Sequence, residues 1–390
     1  NLKLFLDNNS IKIQIRKINL YPEIKRENLI IYSRDDLIKI RNLKIDYLVY
    51  INNNCNKTNI LELKVINIYY SNNLLPSTKT STFYSILNKK SKSNFFITLK
   101  DKKQNEKVIF KGNTFTHYIF SYNFKKLESK ALSVLFNLIS EFKYSNSIIN
   151  KCEENKLITF KATTPNIYEL LKYLFFTIKI SFQPKYFWGV GYKFTENWLK
   201  TDLKKSIYIK NPKNRWLADP FVLARGNEHY CFVEDYSFKR GKGSISVFKI
   251  FKDKYEELGE VINEDFHLSY PFLFNAFGEL YMCPATPAIG EIRLYKCIKF
   301  PMEWKFDHVL LKDINAVDTN IFQYDKKWWI MTNLSSSKVG DNNSELHIFY
   351  SDNLFSQNWK KHLKNPVIFE TDFARNGGLI LDDKNIFRIY

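Results

Sequence analysis

From about residue 186 onward the chain repeats itself, with a period near 50 residues. That period constrains the fold more than any other feature of the sequence. Three stretches share one layout: Leu217–Phe232 (LADPFVLARGNEHYCF), Ser269–Cys283 (SYPFLFNAFGELYMC) and Val317–Ile330 (VDTNIFQYDKKWWI). In each, a polar residue opens a strand, a turn follows and an aromatic-rich strand returns. Asp219 precedes Tyr230, Tyr270 precedes Tyr281 and Asp318 precedes Trp329, each by 11 residues. The openings are 51 residues apart (219 to 270) and then 48 apart (270 to 318). Each unit supplies another strand: Ile245–Lys249, Ile292–Lys296 and Leu346–Tyr350. A fourth opening stands at Arg375, 57 residues after Asp318. About four strands per period of roughly 50 residues is the signature of β-propeller blades. A blade buries its faces only against its neighbours, and the ring has to close. Three blades and a fragment do not close, even if Phe187–Ile209 lends strands to a closing blade. The propeller is therefore read as incomplete at the C-terminus of this sequence.

Residues 1–145 follow a different pattern. Leu29–Tyr32 (LIIY), Tyr47–Ile51 (YLVYI) and Val65–Tyr70 (VINIYY) are short apolar, β-rich runs. Between the first two, Arg34–Ile45 has apolar residues at helical spacing, with Asp35 and Asp36 suited to a helix N-terminus. Strands separated by helices of that length predict βαβ units and a parallel sheet. Phe95–Leu99 and Lys107–Phe110 read as a hairpin, and Leu127–Phe142 as an amphipathic helix. Residues 146–185 form a connector, with a strand at Leu157–Phe160 and a helix at Ile167–Ile178. The fold class is multidomain: an N-terminal α/β domain and an all-β propeller over 186–390.

Net charge is +19, from 59 Lys and Arg against 40 Asp and Glu. The charge is dispersed. Groups such as Lys100–Lys103 are interleaved with acidic and amide residues, and no arginine-rich run accompanies them. That pattern is a solvated lysine surface rather than a nucleic-acid interface. Some of the Lys and Asn is discounted as codon bias, since Ile, Phe and Tyr are over-used as well. Five cysteines (Cys55, Cys152, Cys231, Cys283 and Cys297) include no C-x-x-C pair. They read as free thiols of a reducing, cytoplasmic setting, with no metal site and no cofactor. The most apolar stretch, Leu170–Phe182, is short and carries Lys172 and Lys179, so no transmembrane segment is expected. The chain opens on Asn1 with no signal peptide, and the missing Met is read as a missing true start.

Several motifs in the second half fall in a familiar order: Trp216–Phe221 (WLADPF), Phe232–Asp235 (FVED), Gly243–Val247 (GSISV), His267–Pro271 (HLSYP), Phe300–Trp304 (FPMEW), Asp318–Phe322 (DTNIF) and Ala374–Gly378 (ARNGG). On these, residues 186–390 resemble the five-bladed propellers of the glycoside hydrolase family 43 type. They resemble more closely the N-terminal propeller of plant glucosamine inositolphosphorylceramide transferases and of bacterial surface-polysaccharide proteins. The first domain resembles a folate-dependent formyltransferase domain, which precedes such propellers in bacteria. Asn67–Pro76 sits where that family carries an Asn and a catalytic His. Asn67 is present, but Tyr69 and Tyr70 stand where the His is expected. Lys102–Val108 lacks the catalytic Asp, although Glu106 is near. A phenol of ordinary pKa near 10 does not replace an imidazole at neutral pH. The resemblance therefore implies a retained scaffold with a degraded formyltransferase site.

The propeller supplies the candidate site. Inner strands converge on the propeller axis, so Asp219, Tyr270, Asp318 and Arg375 are expected around one mouth of the channel. His267 and Glu234 are expected nearby. In family 43 the first-blade Asp is the general base, a second-blade Asp tunes its pKa and a third-blade Glu is the acid. By that resemblance Asp219 is the base and Asp318 stands in the acid position. Tyr270 replaces the tuning carboxylate. Glu234, His267, Tyr270 and Arg375 are substrate-binding candidates. Ala285, in Pro284–Thr286, replaces a Glu that related bacterial propellers carry. Each of these residues also has a purely structural reading, as a turn cap, a core side chain or an ion-pair partner. Three functions stay open: a glycan transferase or glycan-modifying protein of bacterial surface-polysaccharide assembly, a family 43 hydrolase, and a non-catalytic glycan-binding scaffold. The expected partner is a glycan or sugar phosphate, with an acidic glycan favoured by the net charge.

Overall fold

The computed structural model describes residues 2–6, 29–32, 47–51, 64–70, 78–100, 105–142, 165–182, 188–335, 341–382 and 385–390. Two compact units divide the chain, Asn1–Gln183 and Pro184–Ser335 with Asp341–Tyr390. The helix expected in the connector belongs to the first unit. The helix at Arg34–Ile45 and the strand at Leu157–Phe160 lie outside the described residues.

The first unit holds a six-stranded sheet. Its strands are β1 (Leu2–Leu6), β2 (Leu29–Tyr32), β3 (Tyr47–Ile51), β4 (Lys64–Tyr70), β5 (Lys92–Lys100) and β6 (Glu106–Phe115), in the order β2-β1-β3-β4-β5-β6. The first four in that order pair in parallel, as the strand and helix alternation predicted. β5 and β6 add an antiparallel hairpin to the edge of β4. Three helices follow the same numbering: α1 (Thr78–Leu87), α2 (Phe120–Phe142) and α3 (Ile167–Ser181). On α2, the residues Phe124, Leu127, Ala131, Val134, Leu135 and Leu138 are buried at spacings of three and four, the apolar stripe of a helix on a sheet. They meet the buried faces of β4 and β5, including Ile66, Ile68, Phe95 and Ile97. The start of α2 lies seven residues before Leu127, the start expected from periodicity. Asn123 anchors this extra turn: it is buried, its Nδ2 donates to Ser93 Oγ and its Oδ1 accepts from His117 N–H. A capping box between Asn166 and Glu169 begins α3. This helix meets α1 through the rings of Phe83 and Tyr173, 5.2 Å apart.

The second unit is built of antiparallel sheets in simple sequence order. The first blade is β9 (Arg215–Arg225), β10 (Glu228–Ser237), β11 (Lys242–Ile250) and β12 (Tyr255–Ile262). The second is β13 (Ser269–Ala276), β14 (Glu279–Thr286), β15 (Glu291–Lys299) and β16 (Glu303–Lys312). The third is β17 (Val317–Tyr324), β18 (Lys327–Asn333), β19 (Leu346–Ser351) and β20 (Lys360–Lys361). A hairpin of β21 (Gly378–Asp382) and β22 (Asn385–Ile389) follows, and a two-stranded sheet of β7 (Val190–Tyr192) and β8 (Ile207–Ile209) precedes. The described residues thus hold three complete blades and two two-stranded sheets, rather than five complete blades. First strands are neighbours in turn: β9 packs on β13, β13 on β17 and β17 on β21. The aromatic alternation seen in the sequence fills the space between blades. Phe272, Leu294, Ile321, Trp328, Ile330 and Phe349 form one continuous buried cluster.

No helix among the described residues is long and apolar enough to cross a membrane.

Candidate functional site

The three blade openings share one unusual backbone conformation. Asp219 (φ 48°), Tyr270 (φ 50°) and Asp318 (φ 52°) all lie in the left-handed region. Non-glycine residues seldom adopt it, and a tyrosine there is a strained choice. Each coincides with a slip in the pairing of the first strand with the second: between Phe232 and Glu234, between Ser269 and Phe272, and between Val317 and Asn320. An extra residue in one strand re-aims its side chain away from the regular pleat. Here the same device recurs in three consecutive blades.

The re-aimed side chains link each blade to the next. The Asp219 carboxylate lies near the backbone N–H of Tyr270, which pulls its pKa down. Tyr270 Oη donates to Asn320 Oδ1 at 2.9 Å. Asp318 accepts from Arg375 at both carboxylate oxygens, from Nε and, at 3.3 Å, from Nη2. The four openings are therefore drawn together, as the repeat predicted. Asn376 adds a second tie to the third blade, since its Nδ2 donates to the backbone carbonyl of Asp318 at 2.7 Å.

Glu234 joins them from β10, where it pairs opposite Ala218. Its carboxyl is hydrogen-bonded to that of Asp219. Two carboxyls in contact hold one proton between them, because both cannot ionise at close range. Burial, reinforced by the Asp219 charge, pushes the Glu234 carboxyl up to about 9. Asp219 is also raised by burial, while Arg375, the Tyr270 N–H and Glu234 pull it down. The two carboxyls therefore hold one proton between them, and Glu234 is the more strongly raised of the pair. Glu234 thus sets a second carboxyl beside Asp219 from the same blade, while the next blade opens on the phenol of Tyr270.

His267 stands on the other side of Glu234. Its Nδ1 accepts from the Gly243 N–H at 2.9 Å, which places the ring proton on Nε2, 3.4 Å from Glu234 Oε1. Burial lowers the His267 pKa, so the ring is neutral near pH 7. Gly243 makes this approach possible. A Cβ there would stand 2.4 Å from Leu268 O and 3.1 Å from Glu234 Oε1.

Asp318 lies deeper and is 3% exposed. Burial pushes its carboxyl up to about 6 against the pull of Arg375. Arg375 is itself fixed from behind. Its Nη1 donates to Asn343 Oδ1 at 2.6 Å. The backbone carrying it is clasped by Arg388, which donates to the carbonyls of Phe373, Ala374 and Arg375. Asn320, Asn343, Asn376, Gly243 and Arg388 were not singled out from the sequence. The DTN and ARN motifs carried the signal for Asn320 and Asn376. Among the described residues no group of three or more His, Cys, Asp or Glu side chains is placed to hold a metal ion.

In the first unit, the residues at the expected formyltransferase site converge on a carboxylate instead. Glu106 Oε1 accepts from Asn67 Nδ2 at 3.1 Å, Tyr69 Oη at 2.9 Å and Thr98 Oγ1 at 2.5 Å. Burial and the Glu106 charge raise the Tyr69 phenol well above its ordinary range. A phenol held in that way is a hydrogen-bond donor and no base near neutral pH. The loop at residues 71–76 lies outside the described residues.

Among solved structures, a GH43 β-1,3-galactosidase is 12% identical, with 44% of this chain and 38% of that chain covered and a TM-score of 0.37. An endo-arabinase from Bacteroides thetaiotaomicron is 14% identical over 48% of this chain and 81% of its own, with a TM-score of 0.36. Similarity at that level bears on neither chemistry nor blade number. Among curated proteins, glucosamine inositolphosphorylceramide transferase 1 of Arabidopsis thaliana is 36% identical over 184 residues, covering 46% of this chain and 24% of the relative. Its counterpart from Oryza sativa subsp. japonica is 35% identical over 183 residues, covering 45% and 24%. The chain spans about a quarter of the length of these relatives. Both are plant proteins, so the bacterial setting expected from the domain order does not stand. Residues 205–390, the three blades and the final hairpin, match the family model described as the N-terminal part of glucosamine inositolphosphorylceramide transferase 1.

Proposed function

We propose that the second unit is the carbohydrate-recognising part of a glycan transferase that builds glycans on sphingolipid or other surface acceptors. The mouth formed by Asp219, Glu234, Tyr270, Asp318 and Arg375 is its sugar site, with His267 at the rim. The observation that carries this reading is the pair of bonds from blade to blade, Tyr270 to Asn320 and Asp318 to Arg375, with Asp219 and Glu234 beside them. It gathers polar side chains at one end of three blades whose sequence is similar to the N-terminal part of plant glycolipid transferases. Strained, bulged positions that converge in this way are a feature of binding and catalytic sites.

Family 43 hydrolysis fits this arrangement less well. An inverting hydrolase needs two free carboxyls roughly 6.5–9.5 Å apart with a water between them. Asp219 is bonded directly to Glu234, and Asp318 is held by Arg375 at both oxygens. Neither matches the water-separated acid and base pair. The first unit is read as a retained scaffold in which Glu106 locks Asn67 and Tyr69.

The test is transfer from a radiolabelled nucleotide sugar to inositolphosphorylceramide and other membrane acceptors, using the full-length protein. Transfer that falls at least tenfold in Asp219→Asn or Arg375→Ala supports the reading. Release of free reducing sugar from galactan or arabinan, with no transfer, would replace it by the hydrolase reading.

A further inference from the structure

We infer that α3 lies flat on an anionic membrane surface, with its exposed apolar face in the lipid and a flank of lysines at the headgroups. Attachment of this kind is independent of the sugar site of the second unit, and either can fail without the other.

The sequence builds the face. Ile167, Leu170, Leu171, Leu174, Phe175 and Ile178 follow one another at intervals of three and one. At 3.6 residues per turn they share one side of the helix, an arc of about 140°. Each is between 45% and 73% exposed, and Phe182, just past the last turn, is 85% exposed. The helix is held from the opposite side. Tyr84 Oη donates to Glu169 Oε2 at 3.1 Å, and Tyr173 Oη accepts from the Phe120 N–H at 3.0 Å. A surface helix of a globular unit ordinarily turns its apolar stripe to the core. This one turns it outward.

The polar groups of α3 suit lipid as well. Glu169, the one carboxylate of the helix, is turned to Tyr84 and to the N–H of its own cap, Asn166. Thr177 and Ser181, on one flank, give their hydroxyls to the helix carbonyls of Leu174 and Thr177, at 2.8 and 2.9 Å. On the other flank stand Lys172 and Lys179, two turns apart and both exposed. Lys89, just past the end of α1, adds a third cation there, its Nζ 5.8 Å from the centre of the Phe176 ring. Lysine stems lie along apolar surface while their ammonium groups reach the headgroup level.

Charge decides what covers this face. A second copy would bring a second set of these lysines to the same interface, on a chain of net charge +19. An anionic bilayer answers the cations and buries the apolar side chains together. With 15 residues, α3 is about 22 Å long, short of the roughly 30 Å hydrocarbon core, so it rests on the membrane rather than crossing it.

Co-flotation of the full chain with vesicles tests this, using phosphatidylcholine alone or mixed with phosphatidylserine, at about 0.15 M and about 1 M salt. The expected result at the lower salt is binding to the mixed vesicles that is roughly tenfold or more tighter than to phosphatidylcholine alone, with the difference shrinking at the higher salt. Leu171→Gln with Phe175→Gln leaves the net charge unchanged and alters only exposed positions. It should keep the parent's thermal unfolding and lose vesicle binding by roughly tenfold or more. Lys172→Gln with Lys179→Gln should remove most of the preference for the anionic vesicles. Failure to bind either vesicle would overturn the inference. So would binding that Leu171→Gln with Phe175→Gln leaves intact, since the dispersed lysines would then be its cause. A dimer seen by light scattering without lipid, and dispersed by that same variant, would give the face to a second copy instead.

Discussion

Arg375 grips Asp318 with two of its three guanidinium nitrogens across 57 residues of sequence. The grip ties the hairpin of β21 and β22 to the third blade and neutralises a carboxylate that is almost wholly buried. Arg375 itself is about half-exposed, so the pair is only partly shielded from solvent.

Arg375→Ala should therefore destabilise the second unit by about 1–3 kcal/mol at pH 7, the range for losing hydrogen bonds to a buried charged group. The deficit should shrink towards pH 5. Asp318 already titrates at about 6 with its partner present, and without the arginine it takes up a proton at higher pH still. Once protonated it no longer needs the counter-charge. Urea unfolding of both proteins at pH 5 and pH 7 measures this, and an equal deficit at both values would contradict it.

Glu234 predicts a broader pH effect. Its folded pKa of about 9 stands well above its ordinary 4.5, so the folded state binds the proton more tightly than the unfolded chain. Stability from this group is complete below about 4.5 and falls as pH rises towards about 9. Glu234→Gln keeps a donor for Asp219 and removes the titration. The variant should show a flatter profile and be more stable than the parent at pH 9, by about 1–3 kcal/mol, the scale of desolvating an imperfectly compensated polar group. Thermal unfolding from pH 5 to pH 9 is the measurement.

The blades were legible because each first strand carries the same polar opening and the same spacing to its returning aromatic residue. Asp219, Tyr270, Asp318 and Arg375 could be placed together from the 51-, 48- and 57-residue intervals alone. The proton shared by Asp219 and Glu234 could not. It depends on the bulge that slips the pairing of β9 with β10 and on the missing Cβ at Gly243, and neither has a pattern in a single sequence. Asn320 and Asn376 stood inside the DTN and ARN motifs, but Asn343 carried no signal: in a chain so rich in Asn, the amide that bonds Arg375 does not stand out from the solvated ones. Nor could the sequence show that Arg375 is saturated. A lone Arg beside an acidic site reads equally well as a phosphate clamp, until its three nitrogens are traced to Asp318 and Asn343.

In the first unit, Glu106→Ala should cost about 1–3 kcal/mol. It leaves Thr98, fully buried, and Tyr69, mostly buried, without their shared acceptor. Tyr69→Phe removes one donor from an acceptor that keeps two others, and should cost about 0.5–1.5 kcal/mol. Chemical unfolding of the two variants checks the order. A larger effect from Tyr69→Phe than from Glu106→Ala would show that Glu106 is not the hub.

Gly243→Ala is the sharpest test of how the mouth is built. Gly243 lies on β11, paired with Tyr236 of β10, and its N–H is the donor that fixes the His267 tautomer. A methyl group there would stand 2.4 Å from the carbonyl oxygen of Leu268, which belongs to the backbone and cannot turn aside. It would also press on His267 Cε1 at 3.0 Å and Glu234 Oε1 at 3.1 Å. The residue 243–268 contact has to open, and the bond from Leu268 N–H to Gly243 O opens with it. Overpacking of this kind costs about 1–3 kcal/mol. Its signature should differ from that of a simple surface defect. As His267 withdraws from Gly243, its Nδ1 loses the N–H that occupies it and its ring gains solvent, so its pKa should rise towards the ordinary 6.5. Proton NMR titration of the His267 ring, alongside urea unfolding, reads both effects. Lost stability with an unmoved His267 pKa would mean that the strand shifts as a body and that Gly243 serves only packing.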